Sequence, residues 1–212
     1  MSKEEFLEEL QKIGIIPTKE QLEKLDIYYK LLIEYNQHIN LTRITEEKEV
    51  YLKHYYDSLT IVKVIDLNKI STLLDFGTGA GFPGIVLKIM YPNLNITLVD
   101  SLQKRVKFLN IVIEKLNLKN IEAIHERVEN IKLKHYDIIT TRAVANLSKL
   151  LDYTHNLIDS TTLFIPLKGN VEEELIDAEK KLKKYKLKIN KKEKFYLPNE
   201  NSARNILVIT KC

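Results

Sequence analysis

The stretch Asp75-Phe76-Gly77-Thr78-Gly79-Ala80-Gly81-Phe82-Pro83-Gly84 carries four of the six glycines in a chain of 212 residues. Apolar runs flank it, Leu73-Leu74 before and Ile85-Val86-Leu87 after. That order describes a buried strand, a glycine loop and a helix. Glycine permits a sharp turn and lets a ligand touch the main chain. The amides that open the following helix face such a ligand. The unit therefore predicts a site for a nucleotide-like cofactor.

The flanking sequence sets this unit in an α/β frame. From Ser71 onward, short apolar runs alternate with amphipathic helices. Strands are expected at 73–76, 95–99, 121–124, 137–141 and 161–167, with helices at 82–90, 103–117, 147–157 and 171–184 between them. Such alternation gives a parallel sheet covered on both faces. Two last strands, 186–197 and 205–211, have no helix between them and predict an antiparallel hairpin at one edge. The expected sheet is thus seven-stranded, mostly parallel and Rossmann-like. Residues 1–66 read differently. Ser2-Lys3-Glu4-Glu5 and Thr18-Lys19-Glu20-Gln21 are capping boxes, and Leu22, Leu25, Tyr28, Tyr29, Leu32 and Ile33 recur at helical spacing. A further helix is expected from Glu46 to about Ile65. The division is a helical cap, 1–66, and an α/β domain, 67–212.

Composition narrows the setting. No window approaches 18 apolar residues, so no membrane span is expected, and the polar, acidic start Met1-Ser2-Lys3-Glu4-Glu5 lacks a signal-peptide core. The sole cysteine, Cys212, excludes an internal disulfide and a cysteine-based zinc site. A cytoplasmic location is the default. The net charge of +4 favours polyanionic partners only mildly. A general bias toward Lys, Ile and Asn devalues the lysines, so the five arginines, Arg43, Arg105, Arg127, Arg142 and Arg204, carry more information.

Gly79-Ala80-Gly81-Phe82-Pro83-Gly84 matches the dinucleotide pattern G-x-G-x-x-G, a weak signal alone. Asp75 ahead of the first glycine would repel a pyrophosphate, and Pro83 removes an amide donor. The arrangement D-x-G-x-G, with Gly77 and Gly79 in the turn and Asp100 closing the next strand, suits S-adenosylmethionine better. That cofactor has no phosphate; it carries an ammonium, a sulfonium and a ribose diol. Asp75 is expected near its amino-acid end and Asp100 at its ribose hydroxyls. Asp100 also fits an NAD ribose, or serves only to cap the next helix. An NAD-dependent oxidoreductase and a regulatory module that binds cofactor without chemistry therefore remain alternatives.

Seven segments together resemble one family. They are Asn40-Leu41-Thr42; His54 with Asp57-Ser58-Leu59; Leu74 through Gly84; Asp100-Ser101 with Lys104-Arg105 and Phe108-Leu109; Arg127-Val128-Glu129; Thr141-Arg142-Ala143 with Ala145; and Pro166-Leu167-Lys168-Gly169. In this order, across essentially the whole chain, they resemble the bacterial small-subunit ribosomal RNA guanine-N7 methyltransferases, also called glucose-inhibited division protein B. Thr141 and Phe76 stand where Ser and Val are usual. The resemblance implies a class I methyltransferase fold with an N-terminal helical cap. It implies S-adenosylmethionine as cofactor and N7 of a guanine in the decoding-region loop of 16S rRNA as acceptor, within the small subunit or an assembly intermediate. The implied cofactor contacts are Gly77, Phe82, Val128, Glu129 and Arg142.

The chemistry agrees with the residues. Guanine N7 offers a lone pair and carries no proton, so its methylation needs orientation rather than a general base. The chain has no D/N-P-P-Y/F tetrapeptide and no internal cysteine, the usual equipment for adenine-N6 and pyrimidine-C5 methylation. Arg142 is the candidate catalytic residue. It follows the fourth strand at its carboxyl end, and its guanidinium matches guanine O6 or a phosphate. Lys104, Arg105 and Lys168 are candidates for RNA phosphates, with a solvated face as the alternative. His54 is expected as a polar contact between cap and core, and no metal site is expected. The nine lysines of Lys180–Lys194 read as a solvated helix and edge hairpin. The expected state is a monomer.

Overall fold

The computed structural model describes residues 1–132 and 134–212. Seven strands form one sheet in the order β3-β2-β1-β4-β5-β7-β6. They are β1 (Thr72–Phe76), β2 (Asn95–Asp100), β3 (Ile121–His125), β4 (Ile138–Arg142), β5 (Leu163–Lys168), β6 (Leu187–Tyr196) and β7 (Ala203–Lys211). The first five are parallel. β7 runs antiparallel to β5 and to β6, which makes the expected edge hairpin. Strand order reverses between β1 and β4, and the carboxyl ends at that reversal are where open α/β sheets bind ligands.

The apolar runs of the central strands follow from burial on both faces. On one face Leu73, Ile96, Leu98 and Ile138 meet α5 (Gly84–Met90) and α6 (Gln103–Lys115). On the other, Leu74, Val99, Ile139 and Phe164 meet α7 (Leu147–Thr154) and α8 (Glu172–Tyr185). β6 is an edge strand that buries Leu187 and exposes Lys188, Lys192 and Lys194, a composition that discourages pairing with another chain. Pro83 stands just ahead of α5, later than the helix start expected at Phe82.

The two capping boxes open helices as expected, α1 (Lys3–Lys12) from Ser2 and α2 (Lys19–Ile39) from Thr18. Phe6, Leu10, Leu25, Tyr28 and Leu32 are fully buried in one cluster with Phe82, Ile85, Phe108 and Leu109. These helices thus form an outer layer over α5 and α6. Gln21 Nε2 donates to the carbonyls of Ile89 and Met90, both at 3.0 Å, and so satisfies the last turn of α5.

The third helical segment differs from the uniform helix expected over 46–65. It begins as α3 (Glu47–Val50), widens to a π-helix over Tyr51–Tyr56, returns to α-geometry in α4 (Asp57–Leu59) and tightens to a 3₁₀ turn over Thr60–Lys63. The wide turns let Tyr51, Leu52, His54, Tyr55 and Tyr56 all point into the protein. π-turns inside α-helical segments are frequent at functional sites.

Close packing behind β1 sets a constraint at Gly84. A Cβ there would lie 2.3 Å from Leu98 Cδ2 and 2.8 Å from Asp75 Oδ2. Gly84→Ala is expected to cost about 1–3 kcal/mol, the usual penalty of overpacking. A urea midpoint equal to that of the parent protein would refute this packing.

Candidate functional site

Three glycines of the loop, Gly77, Gly79 and Gly81, have positive φ. The reason is clearest at Gly81, with φ +105°, where a Cβ would lie 2.6 Å from Ile85 Cγ1 and 2.7 Å from Tyr28 Oη. Tyr28, fully buried on α2, donates its hydroxyl to the Ala80 carbonyl. The outer helical layer thus grips the loop from behind.

Asp75 holds the same loop from below. Its Oδ2 accepts from Thr78 Oγ1 at 2.6 Å and from Gly84 N at 2.8 Å. The carboxyl is wholly buried and Oδ1 meets no partner among the described residues. Burial pushes its pKa up to about 7, against the lowering effect of those two hydrogen bonds. Asp75 is therefore sealed beneath the loop, not at a cofactor's amino-acid end as expected. Its predicted repulsion of a pyrophosphate does not hold in that position.

Two recesses open at the carboxyl ends of the strands. One, about 180 Å³, lies at β1 and β2 and is lined by Gly77, Asp100, Val128, Glu129, Val144 and Tyr153 among others. The other, about 330 Å³, lies at β4 and β5 and includes Lys53, His54, Asp57, Arg142, Lys168 and Arg204. The turn after Arg142 divides them. Ala143, at φ 56°, lines the second recess, while Val144 lines the first. Val144 packs so close to Gly77 that a Cβ there would lie 2.3 Å from Val144 Cγ2.

Arg142 is fixed by the π-helical segment. Its Nη1 donates to the Lys53 carbonyl at 2.6 Å and to Asp57 Oδ2 at 3.0 Å, and its Nη2 to His54 Nδ1 at 2.9 Å. The guanidinium lies 5.3 Å from the Phe82 ring centre, and His54 stacks on that ring at 4.3 Å. Because arginine only donates, His54 Nδ1 must carry its lone pair, so Nε2–H donates to Thr42 Oγ1 at 2.9 Å. Burial, then the Arg142 charge, lowers the His54 pKa to about 3. Thr42 is presented by the turn after α2, where Asn36 Oδ1 accepts from the amides of Leu41 and Thr42. That turn gives Asn40-Leu41-Thr42 its physical meaning. His54 is the polar contact anticipated.

A family model described as rRNA small subunit methyltransferase G matches residues 21–206. The chain belongs to that family. It is 44% identical to ribosomal RNA small subunit methyltransferase G of Bacillus subtilis (strain 168), over 100% of this chain and 91% of the relative. It is 46% identical to the protein of that name from Lachnoclostridium phytofermentans, over 97% and 88%. Among solved structures, a SAM dependent methyltransferase from Aquifex aeolicus superposes with TM-score 0.57 and 18% identity, over 77% of this chain and 93% of that one. The mitomycin 7-O-methyltransferase MmcR gives TM-score 0.64 and 12% identity, over 87% and 60%. These likenesses establish the class I methyltransferase fold.

Within this family member, the residues expected at the cofactor fall in several places. Gly77, Asp100, Val128 and Glu129 line the first recess together. Asp100, however, is 2% exposed and already engaged: Oδ1 accepts from Leu102 N, and Oδ2 from Gly79 N at 2.9 Å and Arg105 Nη1 at 3.3 Å. It ties the glycine loop to the start of α6 while lining the recess, and Oδ1, with one donor, keeps a further lone pair. Phe82 is buried against the hydrogen-bonded His54 and Arg142 and lines neither recess. Arg142 lines the second recess, not the first.

Of the basic candidates, Lys104 is exposed at the start of α6, outside both recesses. Arg105 turns inward to Asp100. Lys168 lines the second recess, paired with Glu174 at 2.8 Å and donating to the Ala145 carbonyl. Sequence patterns did not mark Arg204 or Tyr153 as site residues. Arg204 meets Asp57 across 147 positions, a distance no local pattern spans. Among the described residues no cluster with metal-ligand character occurs.

Asp75 and His54 have opposite pH signatures. A folded Asp75 pKa near 7 means the native state holds a proton that the unfolded chain releases above about 4. Its contribution to stability is present at low pH and lost as pH rises toward 7. A folded His54 pKa near 3 means the unfolded chain takes up the extra proton below the ordinary histidine value of 6.5, so its contribution is lost as pH falls. Relative to the parent protein, Asp75→Asn should gain stability by up to about 1 kcal/mol per pH unit between pH 4 and 7. His54→Gln should gain as pH falls below about 6.5. Parallel stability–pH curves for either variant and its parent would contradict that residue's burial.

Proposed function

We propose that the chain transfers a methyl group from S-adenosylmethionine to N7 of a guanine in the decoding-region loop of 16S rRNA. The observation that carries this reading is the pair of recesses divided by the turn after Arg142, one suited to a methyl donor and one to its acceptor. Acids outnumber bases in the first: Asp100, Glu126 and Glu129 stand against Arg127 alone. Such a lining suits a phosphate-free, cationic cofactor and disfavours a dinucleotide's pyrophosphate. Gly77 and the Val128–Glu129 turn would hold the cofactor there. Asp100, in the same lining, ties the loop to α6 through Gly79 N. The cofactor supplies an electrophilic methyl group.

The second recess, about 330 Å³, falls in the size range of small-molecule pockets and takes the acceptor base. Arg142 orients that base or its phosphate through Nε and the second Nη2 hydrogen, which meet no acceptor among the described residues. The surroundings suit an acceptor without a proton to lose. The His54 lone pair is engaged by Arg142, and Asp57 is shared between Arg142 and Arg204. Guanine N7 needs no general base, so catalysis rests on orientation. In this reading residues 1–66 act as a cap over the α/β domain, 67–212, and Lys168 and Lys104 contact rRNA. The protein works as a cytoplasmic monomer on the small subunit or its assembly intermediate. Among the described residues no helix is long and apolar enough to cross a membrane.

The test is methyl transfer to small ribosomal subunits, with nucleoside mass mapping of the product. The expected product is 7-methylguanosine in the decoding region. S-adenosylhomocysteine should raise the melting temperature and NAD should not; the reverse result would favour an oxidoreductase. Arg142→Ala should lower turnover by about a hundredfold or more while the fold persists. Near-parental turnover in this variant would remove Arg142 from the mechanism.

A further inference from the structure

We propose that Arg204 is a phosphate-binding residue, holding a backbone phosphate of the rRNA nucleotide presented to the Arg142 recess. This rests on the acceptor reading above. The argument begins with charge. Four cationic side chains line the recess: Lys53, Arg142, Lys168 and Arg204. Lys53 has Glu49 at 2.7 Å and Glu200 at 3.1 Å, and Lys168 has Glu174 at 2.8 Å. Arg142 and Arg204 share the single carboxylate of Asp57, each at 3.0 Å. Asp57 is buried, and the two guanidiniums are only 14% and 20% exposed at their side chains. Glu49 and Glu200 stand outside the lining, so the recess itself presents four cations against two carboxylates, Asp57 and Glu174, a surplus that favours an anionic ligand.

Bonding geometry leaves a whole terminal nitrogen of Arg204 open to an anion. Both terminal nitrogens of Arg142 already hold the Lys53 carbonyl, Asp57 and His54, and its remaining N–H groups serve the base in the reading above. Arg204 uses Nε on Asp57 and Nη1 on Ser202 Oγ and the Ala203 carbonyl, at 3.0, 2.8 and 3.1 Å. Its Nη2 meets no acceptor among the described residues. Three bonds through Nε and Nη1 fix the guanidinium, so little side-chain freedom is lost when Nη2 takes a phosphate oxygen. The sheet places this group at the recess. Lys168 pairs with Asn205 in the β5–β7 register, one residue from Arg204. A phosphate seated there also comes within the reach of Lys168, whose head group already lines the recess.

The experiment measures binding of the full-length protein to small ribosomal subunits over a series of salt concentrations. Cofactor affinity is measured beside it by calorimetry with S-adenosylhomocysteine. Arg204→Gln should weaken subunit binding about tenfold and make the slope of log K against log salt shallower by about 0.7, the loss of one phosphate contact to single-stranded RNA. Its S-adenosylhomocysteine affinity should match the parent's, which also shows that the variant is folded. Arg204→Lys keeps a charge at the same place and should retain the parental slope. A parental slope in Arg204→Gln would overturn the proposal; should that variant lose S-adenosylhomocysteine binding, a slope shallower by about 0.7 in Arg204→Lys, which keeps the charge, would overturn it instead. Parent protein that fails to methylate small subunits would instead overturn the acceptor reading, and this inference with it.

Discussion

The buried ion pair between Arg142 and Asp57 is the interaction on which the rest of the site depends. A guanidinium in a partly enclosed recess is tolerated only when paired and hydrogen-bonded. Asp57 and the Lys53 carbonyl satisfy one end of Arg142, and His54 the other. All three partners come from the segment whose π-helical turns aim successive side chains inward. The pair joins the outer helical layer to the end of β4, so the acceptor recess exists only where the two meet. The same geometry settles the His54 tautomer, holds the ring against Phe82 and leaves Asp57 an oxygen for Arg204.

A second tie between the same layers shapes the donor side. The glycine loop is gripped by Tyr28 from α2 and by Asp75 from β1. Asp100 then joins the loop to α6. Three polar groups thus fix a backbone whose function is to leave space. The turn through Ala143 and Val144 separates that space from the acceptor recess. In the proposed reading, donor and acceptor lie on either side of one short segment, and catalysis by orientation requires no more than that.

Much of this was legible in the sequence where one short-range rule governs. The capping boxes at Ser2 and Thr18, the 3.6-residue period of α2, the apolar runs of the parallel strands and the helix-free final hairpin each follow from local patterning. The glycine loop announced itself by composition. Residue roles were less legible, because they depend on which way a side chain turns. Asp75 and Asp100 were identified as acids at the cofactor loop, yet burial turns both toward backbone amides. The π-helical widening leaves no mark in an apolar period. Arg204 stood out only as one of five arginines, since its partner Asp57 is brought to it by the whole sheet and cap. The family resemblance pointed to Arg142, His54 and Asp57, and the structure supplies the reason they belong together.

The central claim is that donor and acceptor occupy separate recesses divided by the turn after Arg142. A crystal structure of the protein with S-adenosylhomocysteine tests it most directly. The account predicts the ligand in the recess at β1 and β2, against Gly77 and the Val128–Glu129 turn, with the recess around Arg142 left open. Ligand density seated among Arg142, Lys168 and Arg204 would contradict it.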